Sequence, residues 1–408
     1  MLKIQNLAAV ALSVCLVALP AMAYDPMAQD DMAIGLSAGS TTYRVVRNVK
    51  NQTPVVSVTN GTPPADFGPG WAPRYMQSME FDNAGYLSHN PSGHLLAANF
   101  GNAFTGFEIH TLATDGTGNS TSLWGIKSLS GDARTDRGGG VSVSPCNDKI
   151  AWTDYDSGGI WVLRYDAGPN PGSGAGAQIT GAIETVGGDG AGNPGAFTPL
   201  NTQDTQGSTW LNNNCLVAFN TFGELVTLCV EPSEPACGPG NCGDCAQWPD
   251  QPAPWPPATT SKWQIVCSDL PLNANQTDIE YNPEIDPFHI YGIQNTYDGV
   301  TSTNTLYAWD YDPVRCVISC DPYQCDLSSP EVDSIREMAF DSEGNLYISH
   351  YSTGDPGEYL VTQLPAAVAL DPQNWSACDV VAFFEDQQFA GYNGMDVAKG
   401  LPIKNHII

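Results

Sequence analysis

Three acidic residues, Glu80, Glu280 and Asp396, occupy the middle of an apolar-x-apolar triplet that recurs along the chain. Carboxylates repeated at one position of a repeat meet wherever the repeats gather around a common axis. Converging carboxylate oxygens suit a hard cation such as calcium. A cation held there polarises a carbonyl or activates a water, the chemistry of metal-assisted hydrolysis. Solvated strand ends are the competing reading of the same three residues.

The cysteines offer a second chemistry. Twelve are present, and setting aside Cys15 in the N-terminal segment leaves eleven, an odd number. Cys229, Cys237, Cys242, Cys245 and Cys267 surround one Pro-rich stretch, and Cys316, Cys320 and Cys325 fall together further on. Cys242-Gly243-Asp244-Cys245 has the spacing of half a zinc knuckle, but no second such pair and no paired histidines complete it. Disulfides are therefore the first expectation. The histidines His89, His94, His110, His289, His350 and His406 show no metal-ligand spacing, and nucleophile-elbow, zincin, P-loop and dinucleotide motifs are missing from the sequence.

The N-terminus predicts export. Lys3 precedes an apolar run from Ile4 to Leu19, Pro20 breaks it, and Ala21-Met22-Ala23 forms a small-x-small cleavage pattern. Residues 1–23 read as a signal peptide, with 24–408 as a single mature domain beginning at Tyr24. The apolar core is too short for the roughly 20 residues of a membrane span, so no membrane insertion is expected. The expected location is secreted, either extracellular or periplasmic and at the cell surface. A net charge of −29 repels phosphate backbones and anionic lipid, so nucleic acid is disfavoured as a partner while cations are attracted.

These groups need a frame to position them, and the residue pattern is all-β. The chain has 41 glycines, 31 prolines and many short runs of Val, Ile, Tyr, Phe and Trp. Six triplets start at Met79, Val141, Thr209, Ile279, Met338 and Met395, each followed by a polar or small turn residue. Several lead into a second strand, as Phe340-Asp341-Ser342-Glu343-Gly344-Asn345 leads into Leu346-Tyr347-Ile348-Ser349. A sheet of three or four short strands buries both faces only between neighbours, and a radial array of such sheets is a β-propeller. The triplet spacing exceeds the roughly 40–50 residues of common blades, so long loop insertions are expected. Glu231–Pro257, partly pinned by disulfides, and Gly168–Gly195 read as such insertions. Met395 lies too near the C-terminus to build its own sheet. N-terminal strands at Thr42–Arg47 and Val55–Thr59 would complete it as a composite blade, for six blades in all. A β-sandwich or a second small domain is the alternative architecture.

The phrase Phe340-Asp341-Ser342-Glu343-Gly344-Asn345-Leu346-Tyr347-Ile348 resembles the blade motif of the NHL and gluconolactonase-like six-bladed propellers, and Phe81-Asp82-Asn83-Ala84-Gly85-Tyr86-Leu87 is a shorter match. In gluconolactonase-like enzymes a divalent cation sits at the tunnel mouth on one Glu, two Asn and one Asp. Asn393-Gly394-Met395 resembles their N-G-apolar element, which implies Asn393 as a ligand beside Glu80, Glu280 and Asp396, with Ca2+ as the cofactor. The chain departs from the family in lacking its E-G-P-x-W phrase and any S-D-G before the Met338 strand. Two functional readings stay open. One is a propeller that binds a ligand, carbohydrate or protein at a face; the other is a metal-dependent lactonase or esterase.

Overall fold

Alternating apolar residues in short runs, separated by turn-forming residues, fold into antiparallel sheets. The computed structural model describes residues 25–26, 29–35, 42–51, 55–59, 76–81, 94–99, 107–111, 113–114, 121–125, 138–145, 149–154, 160–166, 178–186, 205–220, 224–229, 262–268, 274–297, 302–327, 335–350, 361–376, 378–384 and 394–398. Residues 1–23, which the sequence predicts to be a signal peptide, Tyr24, Asn393 and the Glu231–Pro257 stretch lie outside the described residues.

Among the described residues, six sheets of four or five strands carry the fold, beside a two-stranded pairing of Asp25–Pro26 with Ala113–Thr114. Sheet 1 comprises Met76–Phe81, His94–Asn99, Phe107–Thr111 and Thr121–Gly125. Sheet 2 comprises Gly138–Val143, Lys149–Asp154, Ile160–Asp166 and Gln178–Val186. Sheet 3 comprises Thr205–Trp210, Cys215–Asn220, Leu225–Cys229 and Lys262–Cys267. Sheet 4 is built from Ala274–Glu280, His289–Tyr297, Ser302–Asp312 and Tyr323–Asp326, with the short Val317–Ile318 folded back on the third strand. Sheet 5 comprises Ile335–Phe340, Leu346–His350, Val361–Leu364 and Val381–Phe384. Sheet 6 joins the two ends of the chain: Met395–Val397 pairs with Met32–Gly35, followed by Thr42–Val46 and Val55–Thr59. Helix among the described residues is one four-residue turn, Ala366–Ala369, and two 3-10 turns.

The first strand of each sheet contains, or in sheets 3 and 4 runs into, one repeat triplet, and these strands neighbour one another from sheet 1 through sheet 6 and back to sheet 1. The arrangement is propeller-like. Apolar clusters fill the spaces between successive sheets from sheet 2 to sheet 6. Ala151, Val162, Trp210 and Leu216 join sheets 2 and 3, and Val217, Ile279 and Trp309 join sheets 3 and 4. Met338 and Phe340 meet Tyr291 and Leu306 of sheet 4, while Tyr347 meets Met395 and Val397 of sheet 6. The triplet residues Val141, Ile279 and Met338 are all buried. Sheets 3 and 4 approach closely at one glycine. A Cβ on Gly207 would lie 2.7 Å from the Asp278 Cα, so glycine is required there.

Two disulfides between described residues stitch the outer edges of the same wall. Cys267 at the end of the last strand of sheet 3 bonds Cys320 of sheet 4, and Cys325 in the outer strand of sheet 4 bonds Cys378 just before the last strand of sheet 5. The turn after Phe340 is fixed by its own side chains. Asp341 Oδ1 accepts from the Glu343 and Asn345 N–H groups, and Gly344 takes the positive φ of 87°.

One expectation is corrected. Gly168–Gly195 contains Gln178–Val186, the outer strand of sheet 2, paired with Ile160–Asp166 through two register shifts. Gly181 and the glycine-rich flanks hide its period-2 pattern, and the shifts absorb the misfit.

Candidate functional site

Residues two apart on a strand share a face. In the first strands, one face packs between sheets and the other carries the triplet's middle residue together with the residue just before the triplet. Those preceding residues include Ser78, Ser208, Asp278 and Glu337. Their side chains turn to the neighbouring first strand rather than to water.

The contacts follow the ring all the way round. Ser78 Oγ and Glu80 Oε2 of sheet 1 accept from the Val141 and Val143 N–H groups of sheet 2, at 3.1 and 3.2 Å. The Ser142 and Ser208 hydroxyls of sheets 2 and 3 meet at 2.9 Å, and the Trp210 indole donates to the Ser142 carbonyl. Thr209 Oγ1 of sheet 3 accepts from Tyr281 N of sheet 4 at 3.1 Å. Asp278 Oδ2 of sheet 4 accepts from Met338 N of sheet 5 at 3.0 Å. Glu337 of sheet 5 accepts from Met395 N of sheet 6 and, past that short strand, from Met79 N of sheet 1 at 3.0 Å. Asp396 of sheet 6 accepts from Phe81 N of sheet 1 at 2.7 Å and from its own neighbour Val397 N.

The three acids at the triplet centres thus lie on this ring. Glu80 is half-buried and bonded to sheet 2, Asp396 is buried and bonded to sheet 1, and Glu280 is half-buried at the end of the first strand of sheet 4. Asn393, one residue before the described Gly394, lies outside the described residues. Among the described residues, no group of three or more histidine, cysteine or acidic side chains is arranged to hold a metal ion.

Two acids that triplet spacing misses, Asp278 and Glu337, are electrostatically the most strained. The Asp278 residue keeps some exposed surface, but its carboxyl group is enclosed, and that burial pushes it up to about 8. The Met338 N–H bond opposes the rise, while the charges of Glu280 and Glu80 add to it. Burial also lifts Glu337 well above the usual carboxylate range, assisted by Asp278 and Asp396. Five carboxylates from four sheets therefore share one electrostatic neighbourhood. The available sequence signal was a polar or small residue immediately before each triplet. His350 is buried inside sheet 5, with Nε2 2.8 Å from Thr362 Oγ1, and belongs to the sheet's packing.

No protein-family model and no curated protein sequence matches the chain. Solved structures resemble it weakly, at the level of the propeller fold. A periplasmic gluconolactonase of Pseudomonas aeruginosa aligns with TM-score 0.48 and 11% identity over 90% of this chain and 84% of that one. A chain of a nidogen/laminin complex aligns with TM-score 0.46 and 11% identity over 90% of this chain and 98% of that one.

Proposed function

We propose that this protein is an exported six-bladed β-propeller that binds a ligand, carbohydrate or protein partner at one of its faces, and that its axial acids are a structural girdle. One observation carries the reading. Glu80, Asp278, Glu337 and Asp396 each accept a backbone N–H from the first strand of a neighbouring sheet. A carboxylate committed to a buried N–H gives up part of its capacity to ligate or to shuttle protons, because withdrawing it orphans the donor. The disulfides at the outer edges fit an oxidising compartment.

The test is hydrolysis of simple lactones and nitrophenyl esters with calcium, magnesium or zinc added and after chelation. The wild type is expected to give no metal-dependent turnover, whereas chelator-sensitive turnover lost in Glu280→Gln would overturn the reading. Intact mass of the protein recovered outside the cytoplasm is expected to begin at Tyr24.

A second reading is favoured by the crowding of carboxylates. A divalent cation, most simply Ca2+ on Glu80, Glu280, Asn393 and Asp396, would relieve the repulsion that Glu280 and Glu80 add to the burial of Asp278. It would supply Lewis-acid chemistry for a lactonase or esterase. On that reading, chelator lowers the melting temperature of the wild type but not of an Asp396→Ala, Glu280→Ala double variant, and elemental analysis finds bound metal.

A further inference from the structure

On the end of sheet 4 a single imidazole lies between two carboxylates. His289, the first residue of its strand, places Nδ1 2.7 Å from Asp286 Oδ2 and Nε2 3.3 Å from Asp310 Oδ1. Asp286 belongs to the turn that joins the first two strands of the sheet, and Asp310 belongs to the third strand, directly opposite His289 in register. The ring is edge-on to Tyr291 on its own strand and to Tyr323 on the outer strand. The Tyr291 hydroxyl donates to Asp286 Oδ2 at 2.7 Å, and the Tyr323 hydroxyl reaches Asp310 Oδ2 at 3.5 Å. Asp286, Tyr291, Asp310 and Tyr323 are thus the titratable groups facing the ring from the turn and from the second, third and outer strands.

Donor arithmetic says which protonation state this geometry requires. An ionised carboxylate only accepts, and a neutral imidazole donates from one nitrogen only. Two nitrogens facing two carboxylates therefore both carry protons. Asp286 is ionised: burial opposes its charge, yet bonds from His289, Tyr291 and the Phe288 N–H hold it below the usual carboxylate range.

We propose that His289 is a proton-gated clasp: as an imidazolium it ties the 281–288 turn through Asp310 to the outer strand of sheet 4, and loss of one ring proton releases the outer arm. The proton that leaves is the one on Nε2. The Asp286 bond is shorter, and Asp286 is the more enclosed partner, its side chain 12% exposed against 53% for Asp310. The Nε2 lone pair then faces Asp310 Oδ1. The two repel, Asp310 turns to solvent, and Tyr323 loses its long contact. Burial lowers the imidazole's proton affinity, but Asp286 and then Asp310 outweigh it and the net shift is upward. With a raised folded-state value, the clasp's contribution to stability is fully present below the unfolded value, about pH 6.5, and is lost as pH rises through the folded value.

The experiment is a pH titration of the full-length mature protein labelled with 15N in histidine, the His289 signals being assigned by their loss in His289→Gln. His289 is expected to titrate above 6.5 and to keep its remaining proton on Nδ1. Amide exchange across Tyr323–Asp326 is expected to accelerate over the same pH range. Asp310→Asn, which preserves shape and removes charge, is expected to lower the titration midpoint and abolish the pH-dependent change in exchange. Titration at or below 6.5, the neutral tautomer protonated on Nε2, or exchange with the same pH dependence in Asp310→Asn would each overturn the clasp.

Discussion

Glu337 Oε1 accepts the backbone N–H of Met79 at 3.0 Å across 258 residues of sequence, and its other oxygen accepts from Met395. One side chain therefore joins sheets 5, 6 and 1. Sheet 6 contributes only the three-residue Met395–Val397 to the ring, so the carboxylate reaches past it. The circle closes on this side chain and on Asp396, which bonds Phe81. The pairing of Met395–Val397 with Met32–Gly35 closes it a second time through backbone bonds.

Removing this acceptor exposes its worth. Glu337→Ala leaves two buried N–H groups without their partner, at roughly 1–3 kcal/mol each, so a loss of about 2–6 kcal/mol is expected. Glu337→Gln keeps one acceptor oxygen and removes a buried charge, so its loss is smaller. Urea denaturation measures the difference. Amide exchange at Met79 and Met395 is expected to speed up in the alanine variant first, and equal destabilisation by Ala and Gln would mean that packing, not the acceptor, is what Glu337 supplies.

Asp278 makes stability depend on pH with a definite sign. Its carboxyl rises from 3.8 in the unfolded chain to about 8 in the fold. Between those values the native state binds more protons than the unfolded state, so stability falls as pH rises from about 4 to about 8. In chelator-treated protein the urea midpoint is expected to be higher at pH 5 than at pH 8. Asp278→Asn, which cannot ionise, is expected to flatten part of that slope; an unchanged slope would show that the charge is not borne at this position.

The triplets were legible because packing between sheets imposes an apolar residue at every second position, a local pattern. The Phe340–Asn345 turn was legible because Asp341 and Gly344 do their work within five residues. Asp278 and Glu337 were not, because an acidic residue beside a strand looks the same whether it meets water or the N–H of a strand many residues away. Only the ring brings Met338 to Asp278. Met32–Gly35 is hidden for a similar reason: its four buried residues lie between the nearby Thr42–Val46 and the far end of the chain, Met395–Val397. The pairing of Cys320 backwards and Cys325 forwards follows from sheets 3, 4 and 5 standing in sequence around the axis, which residue counting cannot supply.

Gly207 tests how close sheets 3 and 4 stand. Its missing side chain leaves room for the Asp278 Cα, and an added Cβ would also come within 2.8 Å of the Ile279 N. Both are backbone atoms of the neighbouring first strand, so no rotamer change relieves the clash. Gly207→Ala is expected to cost about 1–3 kcal/mol or more. The Thr209–Tyr281 bond lies beside the clash, so the Tyr281 amide is expected to exchange faster in this variant than any amide of sheet 6.

The outer stitches and the axial ring hold the same sheets by different means, and reduction separates the two. Cys267–Cys320 and Cys325–Cys378 each span 53 residues, for which loop-closure entropy amounts to about 4 kcal/mol. That contribution acts on the unfolded chain, while the axial hydrogen bonds and the clusters between sheets survive reduction. A Cys325→Ala, Cys378→Ala variant is therefore expected to retain the β-sheet circular dichroism of the wild type and to unfold at lower denaturant. Sheet 4's outer strand, Tyr323–Asp326, loses its covalent tie to sheet 5 and keeps its ladder to Thr305–Ala308. Limited proteolysis followed by mass spectrometry is expected to find new cleavage between Pro313 and Asp326 in this variant. Cleavage in sheets 1 and 2 instead would place the weak point of the molecule away from the stitched wall.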